Sequence, residues 1–216
     1  MSAHEAVLRE GLAKLQLALS DQQVTQLLTY LDLIQKWNKV YNLTAVRDPQ
    51  EMVSQHLLDC LAVIDSLRKQ TEGRASAVLD VGSGAGLPGI VLAICCPELS
   101  VDCVDTVAKK AAFIQQATVT LGLLNLRGLH ARVESLDCAY DVVTSRAFAS
   151  LVDFVSWSEK ALRPQGVWLA MKGKHPSDEI AQLPPAVQVF HVEQLDVPSL
   201  NAERCLVWMK RASAVT

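Results

Sequence analysis

The chain has 216 residues, half of them hydrophobic and a fifth charged, with a formal net charge of −3. This balance excludes a disordered or collagen-like chain and leaves room for one good core with a small appendage. The net negative total is unlike that of a free-standing nucleic-acid binder, which is usually basic, although it does not exclude a local basic patch.

No stretch approaches the ~20 apolar residues of a membrane span. The first residues carry Glu5 and Glu10 rather than a long apolar core, so no signal peptide is expected. Six cysteines occur without a C-x-x-C pair or a zinc spacing. That pattern predicts reduced, mostly buried thiols, no metal and a cytoplasmic location.

Residues 1–70 read as a helical extension and residues 71–216 as the core that follows it. Val7, Leu8, Leu12, Leu15 and Leu19 keep one helical stripe, and Ser20-Asp21 is a cap site for the next, marked by Val24, Leu27, Leu31 and Ile34. The segment from Trp37 to Pro49 is rich in aromatic, amide and basic groups, with Lys36, Lys39 and Arg47 around Trp37 and Tyr41. Such a cluster offers stacking and phosphate contacts, and core packing is the alternative for Trp37. Asp48-Pro49 is a helix-start signal, and Met52 to Ile64 carries a third stripe that includes His56 and Asp59.

From Ala77 the rhythm changes to strand–helix alternation, which predicts a parallel α/β sheet. Strands are expected at 77–81, 100–105, 126–132, 140–145 and 167–171, with two closing strands at 187–192 and 205–209. Helices are expected after the glycines, at 107–121 with Gly122 as the terminal cap, and at 151–162. Ala77 to Gly89 reads A-V-L-D-V-G-S-G-A-G-L-P-G, a buried strand, a glycine turn and the start of a helix. Gly82, Gly84, Gly86 and the helix N-terminus make a nucleotide cradle at the end of the first strand. Gly84 to Gly89 also fits the dinucleotide fingerprint. Asp80, two residues before the first glycine, favours a different ligand. A carboxylate there repels a pyrophosphate and suits a cation such as the α-amino group of S-adenosyl-L-methionine; a turn cap is its plainer role.

Asp105 ends the second strand at the spacing of a ribose-binding acid, or caps the helix that follows. Val133 and Glu134 follow the third strand and border the same sheet edge. Arg146 ends the fourth strand, where it can meet a cofactor carboxylate, a phosphate or a guanine edge. The fourth strand lacks the Asn/Asp-Pro-Pro-aromatic tetrapeptide that many amino-group methyltransferases place there.

Five blocks in this order carry a specific resemblance: W-N-K-V-Y-N-L-T-A-V-R-D-P, S-Q-H-L-L-D-C-L-A-V, L-D-V-G-S-G-A-G-L-P-G-I-V-L-A, D-V-V-T-S-R-A-F-A-S-L and W-L-A-M-K-G. From about Leu27 to Met209 the chain resembles the bacterial small-subunit ribosomal RNA guanine-N7 methyltransferase family RsmG, also called glucose-inhibited division protein B. The resemblance implies a Rossmann-like class I methyltransferase fold with a seven-stranded sheet. It also implies a monomeric enzyme that uses S-adenosyl-L-methionine to methylate N7 of a guanine in the 530 loop of 16S rRNA, within the 30S subunit. By similarity, Gly82, Leu87, Val133, Glu134 and Arg146 fall on cofactor-contact positions. The chain departs from the family pattern at Cys60, at Val133 and at 106–108. Lys39, Arg47, Lys172 and Lys174 are the candidate RNA contacts, the last two as a turn at the crevice edge. Arg146 is the candidate for positioning, since guanine N7 has no proton to lose and needs no base. A small-molecule or other-RNA methyltransferase on the same fold is the alternative.

Overall fold

The computed structural model describes residues 2–46, 48–137 and 139–213. Arg47 and Cys138 therefore lie outside the described residues, and so does any contact sought for Arg47. Among the described residues, no helix is long and apolar enough to cross a membrane.

One seven-stranded sheet organises the molecule, in the order β3-β2-β1-β4-β5-β7-β6. β1 (Ser76–Val81), β2 (Leu99–Asp105), β3 (Leu126–His130), β4 (Tyr140–Arg146) and β5 (Leu162–Lys172) run parallel. β7 (Arg204–Arg211) inserts antiparallel between β5 and β6 (Val187–Leu195). The strand order reverses between β1 and β4, so the loops after β1, β2 and β4 converge on one crevice at the carboxyl edge.

The central strands are buried on both faces, as parallel sheets are. On one face, Val78, Val101, Val142 and Leu169 pack against α6 (Gly89–Cys95), α7 (Ala108–Leu121) and the N-terminal helices. That core runs without a break into Leu8, Leu27 and Val53, so the N-terminal helices share the sheet's own core. On the other face, Leu79, Val104, Val143 and Trp168 pack against α8 (Leu151–Ser158).

Local signals explain most of the element ends. Ser20 starts the long helix Asp21–Tyr41 with a complete capping box, its hydroxyl accepting the Gln23 N–H while the Gln23 side chain accepts the Ser20 N–H. Gly122 ends α7 in the left-handed region at φ 65°, as expected for a glycine cap. Three expectations shift. The first helix stops at Lys14, leaving Leu15 and Leu19 in the connection, still packed on the core. The helix Asp21–Tyr41 runs through Trp37, whose ring packs edge-on against Phe113 at 5.4 Å, so core packing wins for that residue. The stripe from Met52 is not one regular helix. It widens to a π-helical stretch over Val53–Leu58, then returns to α-helix at Asp59–Leu61.

Candidate active site

A cleft of about 440 Å³ opens at the carboxyl edge, between the loops that follow β1, β2, β3 and β4. Gly82 forms its floor at φ +64°, and Gly84 stands beside it at φ +58°. Both are left-handed conformations that strain residues with a side chain. A Cβ on Gly82 would collide with the Phe148 ring, whereas a Cβ on Gly84 would meet nothing closer than 4.0 Å. The backbone is thus bare where a ligand would lie against it.

Asp105 fastens the turn. Its Oδ2 accepts the Gly84 N–H at 3.0 Å and its Oδ1 accepts the Val107 N–H at 2.9 Å. The acid thus caps the start of the following helix, the plainer of its two expected roles, and also lines the cleft. Lys110 stands 3.7 Å from the same carboxylate. Val133 and Glu134 form a short 3-10 turn on the opposite wall, with Glu134 bonded to Arg132 at 2.9 Å. That charge-assisted bond holds the Glu134 carboxyl below its ordinary range. Phe148 and Trp157 close the remaining side, edge to face at 5.7 Å. Sequence reasoning named neither aromatic. Trp157 is brought in by α8, and no local pattern distinguishes it from a surface tryptophan.

Asp80 is fully buried beneath the turn rather than standing in the open cleft. Its Oδ2 accepts the Gly89 N–H at 2.9 Å, with the Cys103 thiol 3.9 Å away. The turn-cap role is thus occupied by one oxygen. The other, Oδ1, is buried without a hydrogen-bond partner. Burial pushes this carboxyl up to about 7, while the Gly89 N–H and the Arg146 charge pull it down. A buried acceptor left open is costly, and each such atom asks for an explanation. Gly86 and Leu87 play a supporting part. Leu87 is buried in the core, and a Cβ on Gly86 would press on Ile90.

Arg146 reaches the sheet edge as expected, but it turns toward the N-terminal helices. Its Nη1 donates to the Gln55 carbonyl at 2.8 Å and to Asp59 Oδ2 at 2.9 Å. Arg204, at the start of β7, donates to the second Asp59 oxygen at 2.9 Å. The widened helix over Val53–Leu58 presents Gln55 and His56 toward this seam, and Thr44 Oγ1 meets His56 Nε2 at 2.8 Å. Burial and the Arg146 charge lower His56 to about 4, so it is neutral. Asp59 and Arg204 lie 145 residues apart in the chain, which is why the sequence did not join them.

The expected basic contacts divide. Lys172 turns inward, bonding the Ala149 carbonyl at 2.9 Å and Glu179 at 2.8 Å. It latches the loop after β4 to α9 (Ser177–Ala181). Lys174 and Lys39 are exposed. Among the described residues, no group of three or more His, Cys, Asp or Glu side chains is gathered to hold a metal ion. Cys60, Cys95, Cys96, Cys103 and Cys205 are free and buried, and burial pushes Cys60 up to about 12.

Residues 23–207 match the family model described as rRNA small subunit methyltransferase G. The chain belongs to this family. A relative from Acidovorax sp. (strain JS42), named ribosomal RNA small subunit methyltransferase G, is 64% identical over 217 residues, covering 97% of this chain and 96% of its own. Among solved structures, TrmN from Thermus thermophilus aligns with a TM-score of 0.56 at 17% identity, over 74% of this chain and 53% of its own. The T. thermophilus 16S rRNA N2 G1207 methyltransferase RsmC, in complex with AdoMet and guanosine, aligns at 0.52 with 17% identity, over 71% of this chain and 43% of its own. At such identities the structural likeness establishes the fold, and the family membership makes this chain a methyltransferase.

Proposed function

We propose that the protein transfers a methyl group from S-adenosyl-L-methionine to N7 of a guanine in the 530 loop of 16S rRNA. The observation that carries the cofactor reading is the open oxygen of Asp80, fully buried one residue before the end of β1. A dinucleotide would bring a pyrophosphate to this turn, and the buried carboxylate opposes it; a cationic amino acid moiety complements it. The rest of the site fits the same ligand. The Asp105 carboxylate stands where ribose hydroxyls would donate, and Val133, Phe148 and Trp157 offer apolar walls for an adenine. Arg146 lies near Asp80, close enough for its charge to lower the Asp80 carboxyl, and both of its named bonds leave from one nitrogen, Nη1. Its guanidinium carries five N–H donors, so the rest can address the cofactor carboxylate.

When bound, the cofactor supplies a sulfonium methyl: the N7 lone pair forms the new N–C bond as the S–C bond breaks, and the positive charge passes to the guanine. The chain's residues then have two tasks. They hold the donor in place through Asp80, Asp105 and Arg146, and they exclude water at the carboxyl edge. Guanine N7 is an acceptor without a proton, so no general base is needed and the catalytic effect is one of proximity and orientation. Neutral His56 and the satisfied Asp59 agree with a site that moves no proton.

The target guanine must leave its loop to reach this edge. Exposed Lys39 and Lys174 are the contacts we assign to RNA phosphates, while Lys172 keeps its latch role. The substrate we assign is 16S rRNA within the 30S subunit, acted on by a monomer. The test is transfer of labelled methyl from S-adenosyl-L-methionine to 30S subunits lacking the modification, followed by mapping of the nucleotide. Label on a guanine N7 in the 530 loop is expected. Label confined to small molecules, or none on any 16S rRNA, would overturn the reading.

A further inference from the structure

The protein is acidic overall, with a net charge of −3, yet its charge is unevenly spread. Two stretches carry cations and no carboxylate at all. Residues 33–46 hold Lys36 and Lys39, and residues 106–133 hold Lys109, Lys110, Arg127 and Arg132. The fold brings the two stretches together. The helix Asp21–Tyr41 lies antiparallel to α7. Gln26, in its first half, bonds the Leu121 carbonyl at the end of α7 at 2.8 Å, while Trp37 meets Phe113 nearer the start of α7. At a rise of about 1.5 Å per residue, Tyr41 lies about 6 Å beyond Trp37. That places it level with the first turn of α7, where Lys109 is exposed and where Val107 and Lys110 line the cleft.

This end of the helix shows solvent more than charge. Val40 is 71% exposed and Tyr41 40%, with Lys36 and Lys39 exposed among them. The Tyr41 ring is backed by Trp37 at 5.1 Å, and Trp37 in turn by the buried Phe113 at 5.4 Å. A short aromatic stack thus anchors an exposed ring to the core. An anchored ring among cations, with no carboxylate nearby in the chain, complements a polyanion that carries flat apolar faces. Single-stranded nucleic acid is such a polymer. A duplex keeps its base faces inside the stack and would engage the lysines alone.

We propose that Tyr41 is a stacking platform for an unpaired base next to the target guanine, with Lys36, Lys39 and Lys109 on the flanking phosphates. The inference rests on the RNA methyltransferase reading above and adds to it a contact point outside the cleft. That point selects a single-stranded stretch and fixes its path toward the cleft.

Steady-state transfer of methyl from S-adenosyl-L-methionine to 30S subunits lacking the modification tests this. Tyr41→Ala should raise the KM for 30S subunits about tenfold, within the range for losing one stacked base, with kcat and the KM for S-adenosyl-L-methionine unchanged. Tyr41→Phe, which keeps the ring, should restore the KM of the unmodified protein. Tyr41→Leu, which keeps apolar bulk without an aromatic face, should not. Lys109→Ala should raise the same KM by less, and should lower its salt dependence by about one unit of log–log slope. An unchanged KM for 30S subunits in Tyr41→Ala would overturn the proposal while leaving the methyl-transfer reading intact. So would a Tyr41→Leu variant as good as Tyr41→Phe, which would mean an apolar contact with a protein of the subunit instead. An equal rise in the KM for S-adenosyl-L-methionine would mean a disturbed cleft and would also overturn it. No transfer to 16S rRNA by the unmodified protein would overturn the reading and the proposal together.

Discussion

The two ends of the sheet treat their buried polar groups in opposite ways. In its amino-terminal half every named carboxylate is fully engaged. Asp102, buried on β2, accepts two bonds from Arg127, at 2.7 and 2.5 Å, and a third from the Tyr140 hydroxyl at 2.7 Å. Asp141 accepts the Ala77 N–H at 2.7 Å and pairs with Arg163. At the carboxyl edge, Asp80, Thr144 and His56 each keep a buried atom without a partner. Asp102 and Asp141 are thus closed off where they tie neighbouring strands together, whereas Asp80 keeps one oxygen open near the edge where a ligand would bind. A satisfied buried network specifies structure, while an unsatisfied one is held in readiness at a cost in stability.

Asp59 sharpens this contrast because it lies at the carboxyl edge yet belongs to the closed kind. Arg146 and Arg204 occupy both of its oxygens. Removing one member of a buried pair leaves the other charges uncompensated, so Asp59→Ala should cost about 3 kcal/mol or more. Urea unfolding would show it as a lowered midpoint with an unchanged slope. A loss below about 1 kcal/mol would place the triad among weak surface pairs instead.

Asp80→Asn should behave in the reverse sense. The amide oxygen can still accept the Gly89 N–H, and the buried charge is gone, so stability should hold or rise. Affinity for S-adenosyl-L-methionine should fall roughly tenfold to a hundredfold, the range for a bond between charged partners. Loss of stability without loss of affinity would make Asp80 a structural residue like Asp102.

The pH dependence follows from the same oxygen. The folded protein without ligand holds the Asp80 proton up to about 7, well above the ordinary 3.8. Its contribution to stability is therefore present at low pH and lost as pH rises through 7. An ammonium ligand takes only the ionised form, so affinity should climb as pH rises toward 7 and level off above it. Cys103, Asp105 and Arg146 face or feel the same group. A flat affinity between pH 6 and 8 would contradict this, and a rise that persists in Asp80→Asn would assign the effect to a group other than Asp80. His56 runs the other way. Held neutral and depressed to about 4 from 6.5, it stabilises above 6.5 and loses that contribution as pH falls toward 4.

The smallest effects belong to the exposed lysines. Lys174→Glu and Lys39→Glu should weaken binding to 30S subunits a few-fold and reduce its salt dependence, with cofactor affinity unchanged. Lys172→Ala should instead lower stability, because Glu179 keeps only the Leu151 N–H and the loop after β4 loses its latch. If Lys172→Ala alone abolished RNA binding at full stability, the inward turn of that side chain would not describe the working state.

The fold was legible wherever the signal was local. The glycine turn, the cap at Ser20, the terminal Gly122 and the alternation of strand and helix all act within a few residues, and each appears where the pattern places it. The seven-stranded arrangement came from resemblance rather than from periodicity, and the order of the strands was not legible in the sequence. Of the site, the residues that carry their own backbone logic were readable: Gly82, Gly84 and Asp105. What escaped depends on distant partners. Asp59 becomes a structural anchor only when Arg204 arrives from the far end of the chain, and Lys172 turns inward only because Glu179 stands beside it.

The open oxygen of Asp80 is assigned to the methyl donor. Calorimetric titration of S-adenosyl-L-methionine into the unmodified protein and into Asp80→Asn at pH 8 tests it most directly. Binding to the first is expected, with at least tenfold weaker binding to the second at equal or higher thermal stability. Equal affinity for the two proteins would contradict it, and would mean that the buried oxygen of Asp80 has no part in holding the cofactor.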